Sequence, residues 1–78
     1  MKDYAITNHI YYARLKEAIG NETELKTLAA ELSNRQDFKD ILVTEDSVLE
    51  DDKFVERINM KIVFSNTNEE LTITVKSE

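Results

Sequence analysis

The sequence contains no cysteine, and this absence removes several kinds of site at once. Without thiols the chain can form no disulfide, no thiolate zinc site and no cysteine nucleophile. Its single histidine, His9, has no second histidine or cysteine near it in the sequence, so a metal-binding or pH-sensing role is not indicated. No apolar run is long enough for a membrane span or a signal peptide, and we expect a cytoplasmic protein without membrane association.

The length and composition are those of one folded domain covering residues 1–78. Hydrophobic residues make up 41% of the chain and charged residues 33%, which distinguishes it from disordered segments. A domain this small has little room for an enclosed substrate cleft, and the sequence contains no catalytic or metal-binding motif. We therefore expect a protein that is not an enzyme and that uses no cofactor or metal.

The net charge is −6, and it is concentrated in the second half of the chain. Residues 1–44 carry 6 basic and 7 acidic side chains, whereas residues 45–78 carry 4 basic and 9 acidic ones. Direct binding of nucleic acid requires an excess of lysine and arginine, so it is not expected. The acidic balance favours a basic protein partner instead.

An alternating apolar pattern in the second half predicts a β-hairpin. Apolar residues recur at every second position of residues 54–65, with Glu56 as the only break, and again in Glu70–Lys76. The polar segment between the two runs is rich in residues that are typical of turns. Because an isolated hairpin is not stable, the preceding part of the chain must cover its apolar face.

Two helices are predicted before the strands, joined by a tight turn. The first starts from a cap at Asp3 or Thr7, and Gly20, the only glycine, lies where a left-handed residue ends a helix. Asn21 caps the second helix, which ends near Ser33. Helical spacing assigns these residues to the two apolar stripes: Ile10, Tyr11, Tyr12, Leu15, Ala18, Ile19, Leu25, Leu28, Ala29 and Leu32.

A short β-branched run at residues 38–43 predicts another strand ahead of the hairpin. The fold class is therefore α+β, with an αα-hairpin packed on a three-stranded antiparallel meander in the order ααβββ. Residues 45–52 are assigned to a connection that has room for one short helical turn. A helix over residues 51–58 is an open alternative, although the alternating pattern favours a strand there.

The acidic segment 45–52 is the most distinctive charged feature of the sequence. Five of its eight residues are Asp or Glu, but it lacks the glycine that a calcium loop of the usual kind needs. Nothing in the sequence builds the cleft that paired carboxylates need for acid–base catalysis. Two interpretations stay open: a solvated loop that keeps a small domain soluble, and an anionic surface that imitates DNA phosphates.

Part of this segment resembles a known family. Residues 42–49 and the Val-Glu pair that follows are similar to phage uracil-DNA glycosylase inhibitors, in which a strand end carries Glu-Ser-Ile-Leu; here Asp46 and Val48 replace the glutamate and the isoleucine. In that family the segment enters the DNA-binding groove of the glycosylase, and an apolar pocket between helix and sheet grips a leucine of the enzyme. The resemblance favours the helical alternative described above. It implies a probing edge made of Asp46, Ser47, Val48 and Leu49.

In its size, acidity, lack of cysteine and α/β composition the chain is also similar in type to anti-CRISPR proteins, many of which obstruct DNA sites on CRISPR effectors. We therefore expect a small phage-type or mobile-element-type inhibitor that blocks a basic nucleic-acid-binding enzyme by DNA mimicry in the host cytoplasm. Tyr11 and Tyr12 are about 100° apart on a helix, so one of them is expected to face outward. The predicted partner-binding residues are Glu45, Asp46, Ser47, Val48, Leu49, Glu50, Asp51, Asp52, Glu56, Glu69, Glu70 and Tyr12.

The alternative is a structural or adaptor domain that works through apolar surface. In this interpretation the last strand, residues 71–75, is an open edge whose backbone pairs with a partner sheet or with a second copy. Both a monomer and a homodimer are compatible with the sequence.

Overall fold

The computed structural model describes residues 2–77, which form two helices and one four-stranded sheet. The elements in chain order are β1 (Lys2–Thr7), α1 (His9–Ala18), α2 (Glu22–Ser33), β2 (Phe38–Glu50), β3 (Lys53–Phe64) and β4 (Glu70–Lys76). The predicted α+β class and the αα-hairpin are confirmed. The strand over residues 54–65 is also confirmed, so the helical alternative at residues 51–58 is wrong.

The sheet is mixed, whereas a pure antiparallel meander was expected. Its strand order is β1-β4-β3-β2, in which β2, β3 and β4 form the predicted meander and β1 adds to β4 in parallel. In this pairing Tyr4 lies opposite Ile73 and Ile6 lies opposite Val75. β4 is therefore an internal strand, and the prediction that residues 71–75 form an open edge is wrong. The outer edges of the sheet belong to β1 and β2.

Both helices cover one face of the sheet, and the core lies between the two layers. The apolar residues of β3 and β4 alternate toward this layer as predicted. The core cluster consists of Leu15, Ala18, Leu28, Ala29, Ile58, Met60, Ile62, Phe64, Ile73 and Val75. Ile10 and Ile19 are 61% and 43% exposed, so their assignment to the apolar stripe of α1 is wrong. The part of α1 that faces the sheet is narrower than the sequence indicates.

The first helix starts later than predicted because Asp3 and Thr7 belong to β1. Asn8 is the cap, and its side-chain oxygen accepts hydrogen bonds from two amides of the first turn at 3.0 and 3.1 Å. Gly20 has the left-handed φ of 86° that the turn between the helices requires. The predicted Asn21 cap of α2 is confirmed, since its side chain accepts the Glu24 N–H at 3.3 Å.

The acidic segment is part of a long hairpin, so its assignment to a connection with a helical turn is wrong. β2 continues to Glu50, and each of its residues from 40 to 50 has a partner on β3. The turn contains only Asp51 and Asp52, whose φ angles of 49° and 62° are those of a type I′ turn. Cross-strand pairing with β3 thus decides the structure of a segment whose own residues favour no regular element.

Candidate functional site

The β2–β3 hairpin projects beyond the rest of the sheet. β4 pairs with β3 from Arg57 to Val63, and the Ser77 N–H donates to the Glu56 carbonyl oxygen at 3.0 Å. Past Glu56, the strands continue as a ribbon of three residue pairs closed by the two-residue turn. At about 3.3 Å per residue, the ribbon extends about 10 Å past the end of β4. Residues 48–55 of this ribbon are named the hairpin tip.

Two large apolar side chains lie opposite each other on the hairpin tip and are open to solvent. Leu49 of β2 pairs with Phe54 of β3, and they are 61% and 78% exposed. Phe54 has the same strand parity as the buried Ile58 and Met60, so it lies on the helix-bearing side of the sheet. The helical layer ends before it reaches the tip. A partner can therefore bury both side chains without any rearrangement of the core.

The turn at the end of the hairpin tip adds two negative charges to this apolar pair. The carboxylates of Asp51 and Asp52 have no ion-pair partner within residues 2–77, and both residues are exposed. Their left-handed backbone fixes the turn between two strands that hold each other in register. The hairpin tip therefore combines two exposed apolar side chains with two carboxylates that no cation of the described residues pairs with.

The acidic residues at the base of the ribbon, unlike those of the turn, are paired with cations of the same chain. Arg57 binds Asp46 through two hydrogen bonds of 2.8 and 2.7 Å across the strand pair. This pairing lowers the pKa of Asp46 below its ordinary value, because the guanidinium stabilises the charged carboxylate. The charge of Asp46 is thus largely compensated within the fold.

Two further acids of the segment are neutralised in the same way. Lys16 of α1 lies 2.8 Å from Glu45, and Lys76 of β4 lies 3.1 Å from Glu50. The hydrogen bond to Glu45 raises the pKa of Lys16, so this ammonium stays charged over a wide pH range. Three of the five acidic side chains between residues 45 and 52 are therefore paired with cations of the same chain.

The predicted site residues Tyr12 and Glu56 meet at the root of the hairpin. The Tyr12 hydroxyl donates a hydrogen bond of 3.0 Å to Glu56 Oε2. Desolvation first, and this bond second, raise the pKa of Tyr12, so the hydroxyl stays a donor at neutral pH. Both Tyr11 and Tyr12 are partly buried, so neither points fully outward as the sequence suggested. Tyr12 fixes the ribbon to α1.

Glu69 and Glu70 lie at the opposite end of the sheet, away from the other predicted site residues. They follow the β3–β4 turn, where Arg35 lies 3.6 Å from Glu69 and Lys61 lies 2.8 Å from Glu70. The bond to Lys61 lowers the pKa of Glu70. The structure therefore does not bring this pair into the same surface as residues 45–52.

Sequence reasoning missed the most exposed apolar residue of the candidate site. The alternating pattern placed Phe54 correctly on the apolar face of β3, but it implied that a helix covers it. The acidic flank on both sides of Val48 and Leu49 was the available signal that this part of the hairpin lies in solvent.

The described part of the chain shows no metal-binding cluster and no helix suited to cross a bilayer. Within residues 2–77 the His, Asp and Glu side chains form no group of three or more that could hold a metal ion. Neither helix combines the length and apolar character needed to cross a bilayer.

Comparison with protein-family models, with curated protein sequences and with solved structures gives no significant match. The resemblance of residues 42–49 to glycosylase inhibitors therefore stays a prediction from a short motif. The fold does place that motif on β2, entering the projecting ribbon.

Proposed function

We propose that the protein is a non-enzymatic inhibitor that inserts its hairpin tip into the nucleic-acid-binding groove of a basic partner protein. The observation that carries the proposal is the solvent-exposed Leu49–Phe54 pair next to the carboxylates of Asp51 and Asp52, which make no ion pair with any residue from 2 to 77. A two-stranded ribbon is narrow enough to enter a groove that accepts a nucleic-acid strand, since neighbouring strands are about 4.8 Å apart.

The apolar pair supplies the binding energy in this proposal. Burial of a Leu or Phe side chain contributes about 1.5–3 kcal/mol each relative to its exposed state. Aromatic anchors in the desolvated centre of an interface carry most of its affinity. Phe54 is the natural anchor because it is the most exposed large apolar side chain of the described residues. The carboxylates then surround it as a polar rim.

The acidic turn supplies orientation and specificity. Asp51 and Asp52 stand where a groove that binds phosphates presents lysine and arginine, so they occupy the positions of phosphates. The mimicry is narrower than the sequence suggested, because Glu45, Asp46 and Glu50 are already compensated by cations of the same chain. We therefore expect a salt dependence that corresponds to about two charges rather than to the whole segment.

The test begins with enzymes of the two classes that the sequence resemblance indicates. Purified protein is titrated into a uracil-excision assay with a uracil-DNA glycosylase and into DNA-cleavage assays with CRISPR effector nucleases, at low and at high salt. The double variant Asp51→Lys/Asp52→Lys is compared with the matched reversal Glu69→Lys/Glu70→Lys at the other end of the sheet. We expect inhibition that weakens with salt, is lost in the first variant and is retained in the second.

A lysate capture extends the same test to other targets. Tagged protein is loaded with bacterial lysate and washed with rising salt, and the eluted proteins are identified by mass spectrometry. Recovery of a nucleic-acid-binding enzyme that the tip reversal no longer captures supports the proposal. Inhibition or capture that is equally strong in both reversal variants would contradict it, as would a partner that binds no nucleic acid.

A further inference from the structure

We infer that the outer edge of β2 pairs with the β2 edge of a second copy of this chain, in an antiparallel register centred on Leu42. The inference rests on three observations: an open strand edge, an exposed leucine in the middle of that strand, and charges that match only in this register. It is independent of what the hairpin tip binds.

The backbone of β2 is available for pairing along most of its length. β2 is the terminal strand of the sheet and no strand of residues 2–77 lies on its outer side. Glu50 and Lys53 flank a two-residue turn and are therefore a hydrogen-bonded pair of the β2–β3 ladder. The odd-numbered residues of β2 then direct their amide and carbonyl groups outward. The ladder is regular from Asp40 onward, after a bulge at residues 38–40.

Leu42 lies in the middle of this edge strand on the face of the sheet that the helices leave open. It is 58% exposed and pairs with Lys61 of β3. Its neighbours on the same face of β2, Asp40 and Thr44, are polar. In an antiparallel dimer with Leu42 on the two-fold axis, it meets its own copy in a non-hydrogen-bonded pair. Such pairs have Cα atoms about 4.5 Å apart, the closest cross-strand approach of side chains. The leucine of one copy thus covers that of the other.

The register centred on Leu42 also matches the remaining side chains. It places Ile41 opposite Val43 of the second copy, and both residues are only partly buried by their own helices. It also brings Lys39, in the bulge at the start of β2, near Glu45 of the second copy. The Glu45 carboxylate binds Lys16 of its own chain through Oε1, and its second oxygen can accept Lys39, which gives two opposite-charge contacts across the axis. Lys39 makes no ion pair within residues 2–77, and Glu45 is about half exposed. Opposite charges that face each other across strands are stabilising.

Neighbouring registers are less favourable by the same criteria. Centring on Val43 places Asp40 opposite Asp46 of the other copy, a like-charge pair that is destabilising. Centring on Thr44 places Leu42 opposite Asp46, so the exposed leucine stays uncovered. The register centred on Leu42 joins two four-stranded sheets into one continuous sheet, with both helical layers on the same side. The two hairpin tips then point away from each other and stay free.

The test is the mass of the protein in solution, measured by sedimentation velocity from low-micromolar to millimolar concentration. We expect a concentration-dependent shift from the 9.1 kDa monomer to twice that mass. Leu42→Arg places two charges on the axis and should abolish the shift. Leu49→Arg, on the same strand but in the hairpin tip, is the matched control and should leave it intact. Both leucines are exposed, so both variants should fold, which circular dichroism can verify.

A charge exchange tests the register itself. Lys39→Glu places two glutamates near each other at both ends of the pairing. We expect the dimer dissociation constant to rise at least about tenfold, which corresponds to about 1.4 kcal/mol. Adding Glu45→Lys together with Lys16→Glu should restore dimerisation, because the second change keeps an opposite-charge pair between residues 16 and 45 within the chain. A single 9.1 kDa species at every concentration would overturn the proposal. So would equal effects of the two leucine variants, or a triple charge variant that stays as weak as Lys39→Glu.

Discussion

The two ends of β3 carry the same residue type on the same face of the sheet in opposite environments. Phe64 is 2% exposed, and the Arg35 guanidinium lies 3.8 Å from its ring centroid. Phe54, ten residues earlier on the strand, is 78% exposed. Strand parity is therefore not sufficient to make a residue part of the core. The helical layer must also extend over it.

The acidic residues near the two turns also differ in how far the fold pairs them with cations. At the β3–β4 turn, Arg35 binds Asp37 at 2.6 Å and reaches Glu69, and the Asp37 carbonyl accepts the Ser65 N–H at 2.7 Å. That end of the hairpin is held to the segment before β2 by the ion pairs of Arg35 and by hydrogen bonds to Asp37. At the β2–β3 turn the carboxylates of Asp51 and Asp52 make no ion pair within residues 2–77. One turn stabilises the domain, and the other presents its charges to solvent.

The largest expected effect is the difference between two phenylalanine truncations. Phe64→Ala removes a buried ring that packs at 6.0 Å from the Phe38 ring, and it should lower the free energy of unfolding by about 3–5 kcal/mol. Phe54→Ala should change it by no more than about 0.5 kcal/mol, because its ring is in solvent. Urea unfolding followed by circular dichroism measures both. Similar losses in the two variants would show that the tip is part of the core.

The sequence predicts which helices and strands form the two layers of this fold, but it does not predict where each layer ends or that β1 joins the sheet. The 54–65 alternation and the spacing of Leu25, Leu28, Ala29 and Leu32 predicted the sheet face and the helix that covers it. β1 was missed because only Tyr4 and Ile6 alternate in it and because its partner β4 is about seventy residues away, which no local pattern shows.

The candidate site shows the same limit. The acidic composition of residues 45–52 pointed to the surface, but composition cannot show which carboxylates find a cation. Lys16 and Lys76, which neutralise Glu45 and Glu50, come from α1 and β4. Only the assembled fold separates those two acids from Asp51 and Asp52.

A smaller effect is expected from the backbone of the two turns. Asp52 has a φ of 62° in a type I′ turn, where glycine is the favoured second residue. Asp52→Gly should therefore raise the free energy of unfolding by about 1 kcal/mol. Asn68 has a similar φ of 56° in the β3–β4 turn, but asparagine tolerates this region better, so Asn68→Gly should gain only about 0.3 kcal/mol. Thermal unfolding of both variants measures the contrast, and an equal gain would contradict it.

The smallest effect is a dependence of stability on acid. Arg35 lowers the pKa of Asp37 and Arg57 lowers that of Asp46, each below the ordinary value of 3.8. Groups with a lowered folded-state pKa contribute stability above the ordinary value, and that contribution is lost as the pH falls through the lowered pKa. Unfolding free energy should thus be flat near neutral pH and decline below about pH 4.

A matched pair of variants identifies the source of the acid dependence. Asp46→Asn removes one of the two paired carboxylates and should make the decline shallower, as urea titrations at a series of pH values can show. Asp3→Asn removes a carboxylate of β1 for which no ion pair exists within residues 2–77, and it serves as the control. A decline that is unchanged in Asp46→Asn would show that the ion pair to Arg57 contributes nothing to stability.

The central claim is that the hairpin tip binds the partner, and the double variant Leu49→Ala/Phe54→Ala tests it most directly. Its affinity for the target enzyme is measured beside wild type and beside Ile19→Ala, which truncates an exposed isoleucine between the two helices. We predict that the tip variant loses at least about 2 kcal/mol, roughly thirtyfold in affinity, while it keeps its fold and while Ile19→Ala binds as wild type does. Undiminished binding by a folded tip variant would contradict the account.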